Sequence, residues 1–118
     1  LHEYYREMGP MYSRSFDLDK FETNWDCGIR NFEQLNFGFG GFLRTFDFTD
    51  QLHTITCPTL VLAGAHDWIC APHHAQLIAE RIPRANLKIF ARSAHSGAAD
   101  EPDAFLAAVR GFLTYAPV

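Results

Sequence analysis

Residues 57 to 64, CPTLVLAG, constrain the fold of this chain more than any other stretch. A short continuous apolar run behind a proline, ending in small residues, reads as a strand covered on both faces, as the strands of a parallel sheet are. A parallel neighbour cannot be reached through a tight turn, so a crossover must follow. The next segment provides it. In HHAQLIAERI (73–82), Ala75, Ile78, Ala79 and Ile82 fall at i, i+3, i+4 and i+7, which is one helix face, and Pro83 stops the helix. NLKIFA (86–91) is a second strand. EPDAFLAAVRGFLTY (101–115) opens with acidic residues and a proline, as a helix N-terminus favours, and predicts a buried stripe of Phe105, Val109, Phe112 and Leu113.

Strand, helix, strand, helix is a βαβα unit. Its right-handed crossover brings both strands to end at one edge of the sheet. The first run ends in LAGAHDWIC (62–70) and the second in RSAHSG (92–97). Asp67 and His95 are therefore expected on two loops just beyond the carboxyl ends of neighbouring strands, where open α/β sheets build their sites. A carboxylate in that position can accept the Nδ1–H of an imidazole and fix its tautomer. Nε2 is then left to take a proton from a nucleophile. The order acid, then histidine, matches hydrolases whose serine precedes both.

Residues 1 to 48 have a different character. They hold eight of the eleven phenylalanines and three of the four tyrosines, and NFEQLNFGFGGFLRTFDF (31–48) sets Phe32, Phe37, Phe39, Phe42, Phe46 and Phe48 among glycines. Helices are expected near 1–8 and 19–36, with a Gly-rich turn at 38–41. The change of composition places a boundary near Thr49, dividing the chain into 1–48 and 49–118.

With 118 residues, 47% hydrophobic and 20% charged, the chain has the make-up of one ordinary globular domain at most. A net charge of -4 with scattered Lys and Arg predicts neither a nucleic-acid surface nor a membrane anchor. No apolar run approaches the roughly 18 residues needed to span a bilayer, and the polar start LHEYYREMGP does not read as a signal peptide. The odd number of widely spaced cysteines (Cys27, Cys57, Cys70) suits free thiols in a reducing cytoplasm. Leu1 in place of Met points to a segment of something longer.

These motifs resemble the C-terminal part of the α/β-hydrolase fold family, above all its proline iminopeptidase-like and esterase-like branch. Cys57-Pro58-Thr59-Leu60 precedes the acid strand, and Gly64-Ala65-His66-Asp67 fits the family's Gly-x-x-Asp. Ser93-Ala94-His95 stands where the family has Ser-Gly-His, with Ala94 in place of the glycine, and Glu101-Pro102 follows. The resemblance is strong over 49–118. Over 1–48 it is one of position and aromatic content, that of a helical cap. It implies a serine hydrolase acting on an ester, amide or N-terminal peptide bond, with Asp67 as triad acid and His95 as general base. It implies no metal or organic cofactor, and a hydrophobic small-molecule or peptide substrate beneath the aromatic cap. A proline-releasing enzyme would also hold the substrate ammonium with acidic cap residues, for which Glu3, Glu7, Glu22, Asp26 and Glu33 are all candidates.

The nucleophile is not evident. Gly-x-Ser-x-Gly does not occur. Ser93 and Ser96 flank His95 on its own loop, Cys57 lies at the wrong end of its strand, and Cys70 lies in the loop after the acid. The serine and oxyanion donors are expected in a companion polypeptide, the N-terminal half of the same hydrolase. Epoxide hydrolases, dehalogenases and C–C hydrolases share this C-terminal half, and a non-catalytic ligand-binding member of the fold is a further alternative. A zinc module is a rival of another class. His66, Asp67, Cys70, His73 and His74 crowd together, but no second Cys-x-x-Cys or His pair completes a closed four-ligand site. His66 either lines the site beside Asp67 or is simply solvated.

Overall fold

A computed structural model of the chain describes residues 1–28 and 30–115. Its sheet has two strands, β1 (Thr59–Gly64) and β2 (Ala85–Phe90). They pair in parallel, with Thr59 opposite Ala85 and Gly64 opposite Phe90. Between them runs α4 (Pro72–Arg81), and after β2 come a four-residue helix, α5 (Gly97–Asp100), and α6 (Pro102–Tyr115). Among the described residues three α-helices precede the sheet: α1 (His2–Tyr12), α2 (Leu18–Asn24) and α3 (Phe32–Gly40).

The βαβα unit expected from the apolar runs is present, and local chemistry sets its limits. Pro72 starts α4, where a missing N–H is harmless. Ile82 leaves the helix at φ -89° and ψ 116°, because the ring of Pro83 excludes the helical region for the residue before it. The packed centre is small: Ala75 and Ile82 from the crossover, Phe90 at the end of β2 and Ala94 beyond it are buried. Two details depart from expectation. β1 is half-buried along most of its length rather than fully covered, and of the buried stripe expected on α6 Phe105, Val109 and Phe112 are only half-buried while Leu113 stands 70% exposed.

The N-terminal helices differ more from the expected pattern. α1 continues through Pro10 to Tyr12, and the N–H of Ser13 closes it on the carbonyl of Gly9. Phe16 folds back onto that glycine so closely that a Cβ there would lie 2.1 Å from its ring. The single helix expected over 19–36 is two. Trp25–Cys27 tightens into a 3-10 turn, Gly28 is extended, and Asn31 starts α3 afresh by accepting the N–H of Gln34. The turn expected at 38–41 is helical as far as Gly40, and the chain reverses at Gly41, whose missing Cβ would stand 2.5 Å from the carbonyl oxygen of Phe37.

Candidate active site

Parallel pairing puts the ends of β1 and β2 side by side, and the two loops beyond them are bonded to each other. The N–H of Ala65 donates to the carbonyl of Phe90 (2.9 Å), and that of His66 to the carbonyl of Ser93 (2.9 Å). Gly64 makes this approach possible: a Cβ there would lie 2.0 Å from the carbonyl oxygen of Ala94 and 2.5 Å from that of Ser93.

This brings Asp67 and His95 together. Asp67 Oδ2 lies 2.9 Å from His95 Nδ1. Its other oxygen, Oδ1, accepts the backbone N–H groups of Ile69 and Cys70, both at 2.9 Å. The carboxylate side chain is 7% exposed and the imidazole 39%. Burial works against the charge of Asp67. The N–H of Cys70, the His95 ring and the N–H of Ile69 outweigh it and hold the carboxyl below its usual range. An ionised carboxylate only accepts, so Nδ1 of His95 carries the proton and Nε2 of the neutral ring presents a lone pair.

Further residues hold the His95 loop. Ser93 is fully buried, and its hydroxyl donates to Glu101 Oε2 at 2.8 Å, an oxygen that also accepts the N–H of Arg92 at 2.8 Å. Those donors, the Ser93 hydroxyl first, keep Glu101 below its ordinary value. Ser93 is thus tied into the loop and turned away from solvent. Asp100 is the other anchor. Its Oδ2 accepts the N–H of Ala94 at 2.8 Å, while Oδ1 receives the hydroxyls of Ser13 (2.5 Å) and Ser15 (2.9 Å) and the N–H of Ser15 (3.0 Å). Burial opposes the Asp100 charge, but these donors push its pKa down to about 2. One carboxylate therefore links the loop that carries His95 to the segment after α1. The N–H of Ser96 adds a bond to the carbonyl of Tyr12 (2.9 Å). The ring of Tyr12 stands edge-on to His95 at 5.7 Å and to Trp68 at 6.1 Å. A hydrogen bond with Tyr4, with burial second, raises the Tyr12 phenol to about 12, so it stays protonated.

Of the cluster His66, Asp67, Cys70, His73 and His74, the structure gathers only Asp67 and Cys70, and it adds His95 to them. His73 and His74 stack on each other at the exposed start of α4, and His66 is exposed beside the site. Among the acidic cap candidates, Glu22 is engaged by His2 (2.9 Å) and Arg6 (3.1 Å). Asp100 carried no sequence signal as a link to the first segment, because Ser13 and Ser15 lie 87 and 85 positions away. Glu101 was visible only as a helix start.

Two parallel strands with a helical crossover, and an acid and a histidine at their carboxyl edge, define the class: the chain belongs to the α/β-hydrolase fold family and corresponds to its C-terminal part. An α/β fold family hydrolase from Bacillus anthracis superposes with a TM-score of 0.76 at 27% identity, over 90% of this chain and 38% of that one. Proline iminopeptidase PfmaB of Pestalotiopsis fici is 34% identical over 90% of this chain and 38% of its own length. The putative carbamate hydrolase RutD of Caulobacter sp. is 40% identical over 61% of this chain and 27% of its own. The chain thus spans less than two fifths of each of these proteins. No model of a known protein family matches it. No helix among the described residues is long and apolar enough to cross a membrane.

Proposed function

We propose that this chain supplies the acid and the general base of a serine hydrolase that cleaves an acyl bond, with an N-terminal peptide or amide bond as the first candidate and an ester or carbamate next. The observation that carries this reading is the contact between Asp67 Oδ2 and His95 Nδ1, made by a carboxylate whose second oxygen is already held by two backbone donors. The similarity to a proline iminopeptidase favours the peptide bond, and that to a putative carbamate hydrolase keeps neighbouring acyl chemistry in play.

His95 Nε2 takes the proton of a serine hydroxyl as its oxygen adds to the carbonyl carbon. The imidazolium, stabilised by Asp67, passes that proton to the leaving amine or alcohol, and an acyl-enzyme results. Water then repeats the sequence and releases the acid. The serine comes from a companion stretch of polypeptide, the N-terminal half of the hydrolase. In support, Gly-x-Ser-x-Gly does not occur in the 118 residues, and Ser93, beside His95, is buried and bonded to Glu101. Residues 1–48 form the cap and 49–118 the core segment. The bond from Tyr12 to Ser96 and the Asp100 anchor favour a cap seated over His95, and its aromatic residues suit a hydrophobic substrate. Cys27, Cys57 and Cys70 are free, which fits a cytoplasmic location.

The test uses the intact protein. A serine-directed fluorophosphonate should label it, and His95→Ala should abolish both labelling and turnover of an N-terminal proline amide while the circular dichroism spectrum is retained. Full turnover by His95→Ala would refute the assignment.

A further inference from the structure

The chemistry above leaves the thiol of Cys70 unused, although it lies against the pair that carries it. Asp67, Cys70 and His95 each offer one ligand atom (a carboxylate oxygen, a sulfur and a ring nitrogen), and all of these lie within 4.8 Å of one another. We propose that these three side chains form an inhibitory site for a thiophilic divalent cation, Zn²⁺ above all; the inhibition rests on His95 being the general base.

The donor set is the one zinc takes. Ligand bonds of about 2.0–2.3 Å around a tetrahedral ion place neighbouring donors about 3.3–3.8 Å apart. Asp67 Oδ2 and His95 Nδ1 stand 2.9 Å apart across a hydrogen bond that the ion would replace, so this pair has to open by about 0.4 Å or more. The main chain of Cys70 is fixed to the same carboxylate by its N–H bond to Oδ1, while the residue itself is exposed and reachable by an ion. Carboxylate and thiolate together balance the charge of the cation, and three protein ligands leave a fourth position open. His66, His73 and His74 do not join the cluster.

Binding would silence the base without disturbing the fold. Cys70 releases its thiol proton to water and binds as thiolate. The cation replaces the proton on His95 Nδ1, so the neutral ring must carry its one proton on Nε2, relayed through solvent. One proton leaves the protein per ion, and nothing is oxidised or reduced. An Nε2–H has no lone pair and cannot accept the serine proton.

The experiment uses the intact protein after chelator treatment, titrated with Zn²⁺ for activity and with Co²⁺ for a thiolate-to-cobalt charge-transfer band. Zn²⁺ should inhibit saturably and EDTA should restore the rate. Cys70→Ser should lose the cobalt band and shift half-inhibition to about tenfold higher zinc or more, each variant being compared with its own zinc-free rate. Cys27→Ser and Cys57→Ser should keep both responses. A missing band in the parent protein, or one that survives Cys70→Ser, overturns the metal site and leaves the base reading intact. A band with no loss of turnover overturns the inhibition and leaves the base reading to the His95→Ala test.

Discussion

Asp67 divides two tasks between its two oxygens. Oδ1 is held by the N–H groups of Ile69 and Cys70, so Oδ2 reaches His95 from a fixed position. Asp67→Asn keeps the shape but offers an amide in place of a charge, so the favoured tautomer and the imidazolium both lose their support. In the intact enzyme kcat should fall by about 10³–10⁴-fold with little change in Tm, which stopped-flow and calorimetry would check. Gly64 has a steric role. An alanine there would drive its Cβ into the carbonyls of Ser93 and Ala94, which are backbone and cannot swing aside. Gly64→Ala should destabilise the protein by about 1–3 kcal/mol and reduce activity as the two loops separate. A variant with unchanged Tm and rate would show that the loops are not held this closely in solution.

At the scale of elements, the His95 loop is held from both sides, by Glu101 at the start of α6 and by Asp100 at the end of α5. Asp100 also binds Ser13 and Ser15, so it positions the segment after α1 as well as the loop. Its pKa is depressed to about 2 from the ordinary 3.8. A depressed carboxyl stabilises the fold above its unfolded value, and that contribution is lost as pH falls through the folded value. The window is therefore from about pH 4 down to about pH 2, and the contribution is on the order of 1–2 kcal/mol. Asp100→Ala should be less stable than the parent at neutral pH, with the difference shrinking across that window in denaturant titrations. A constant difference would show that the charge of Asp100 is not what holds the loop. Ser13→Ala removes one donor and should reproduce part of the loss.

At the scale of the whole molecule, the exposed phenylalanines are the main feature. Phe37 and Phe39 are 69% and 71% exposed, and Phe32, Phe42, Phe46 and Phe48 are also more than half open or close to it. Burying one such side chain is worth roughly 1.5–3 kcal/mol, so together they offer a large free energy to whatever covers them. The outer edge of β1 has no strand beside it among the described residues. Both features suit packing against the serine-bearing polypeptide proposed above. Residues 1–118 alone should show no hydrolase activity, and co-expression with the N-terminal half should restore it together with a gain in Tm. Turnover by residues 1–118 alone would contradict this.

The βαβα unit was legible in the sequence because CPTLVLAG is an unbroken apolar run of strand length, and because prolines and helix-face spacing mark the crossover to a second strand, although β1 is only half-buried and β2 is largely exposed in this chain. The meeting of Asp67 and His95 followed from that, since parallel strands end at one edge. The aromatic segment was not legible in the same way. Its phenylalanines and glycines have no single period, so the break at Gly28, the restart at Asn31 and the helical course of Gly38 and Gly40 were settled by capping and back-packing. Asp100 belongs to the tertiary structure alone, and Cys70, already a candidate ligand beside Asp67 in the sequence, gains His95 as a neighbour only there. Asp100 looks like a helix-end acid until Ser13 and Ser15 arrive from the far end of the chain, and Cys70 looks like a loop thiol until the turn after β1 sets it beside His95. Local patterning determines strands, helices and the edge where they end. Contacts between residues distant in the chain depend on loops whose course is set by packing, and only the folded molecule decides those.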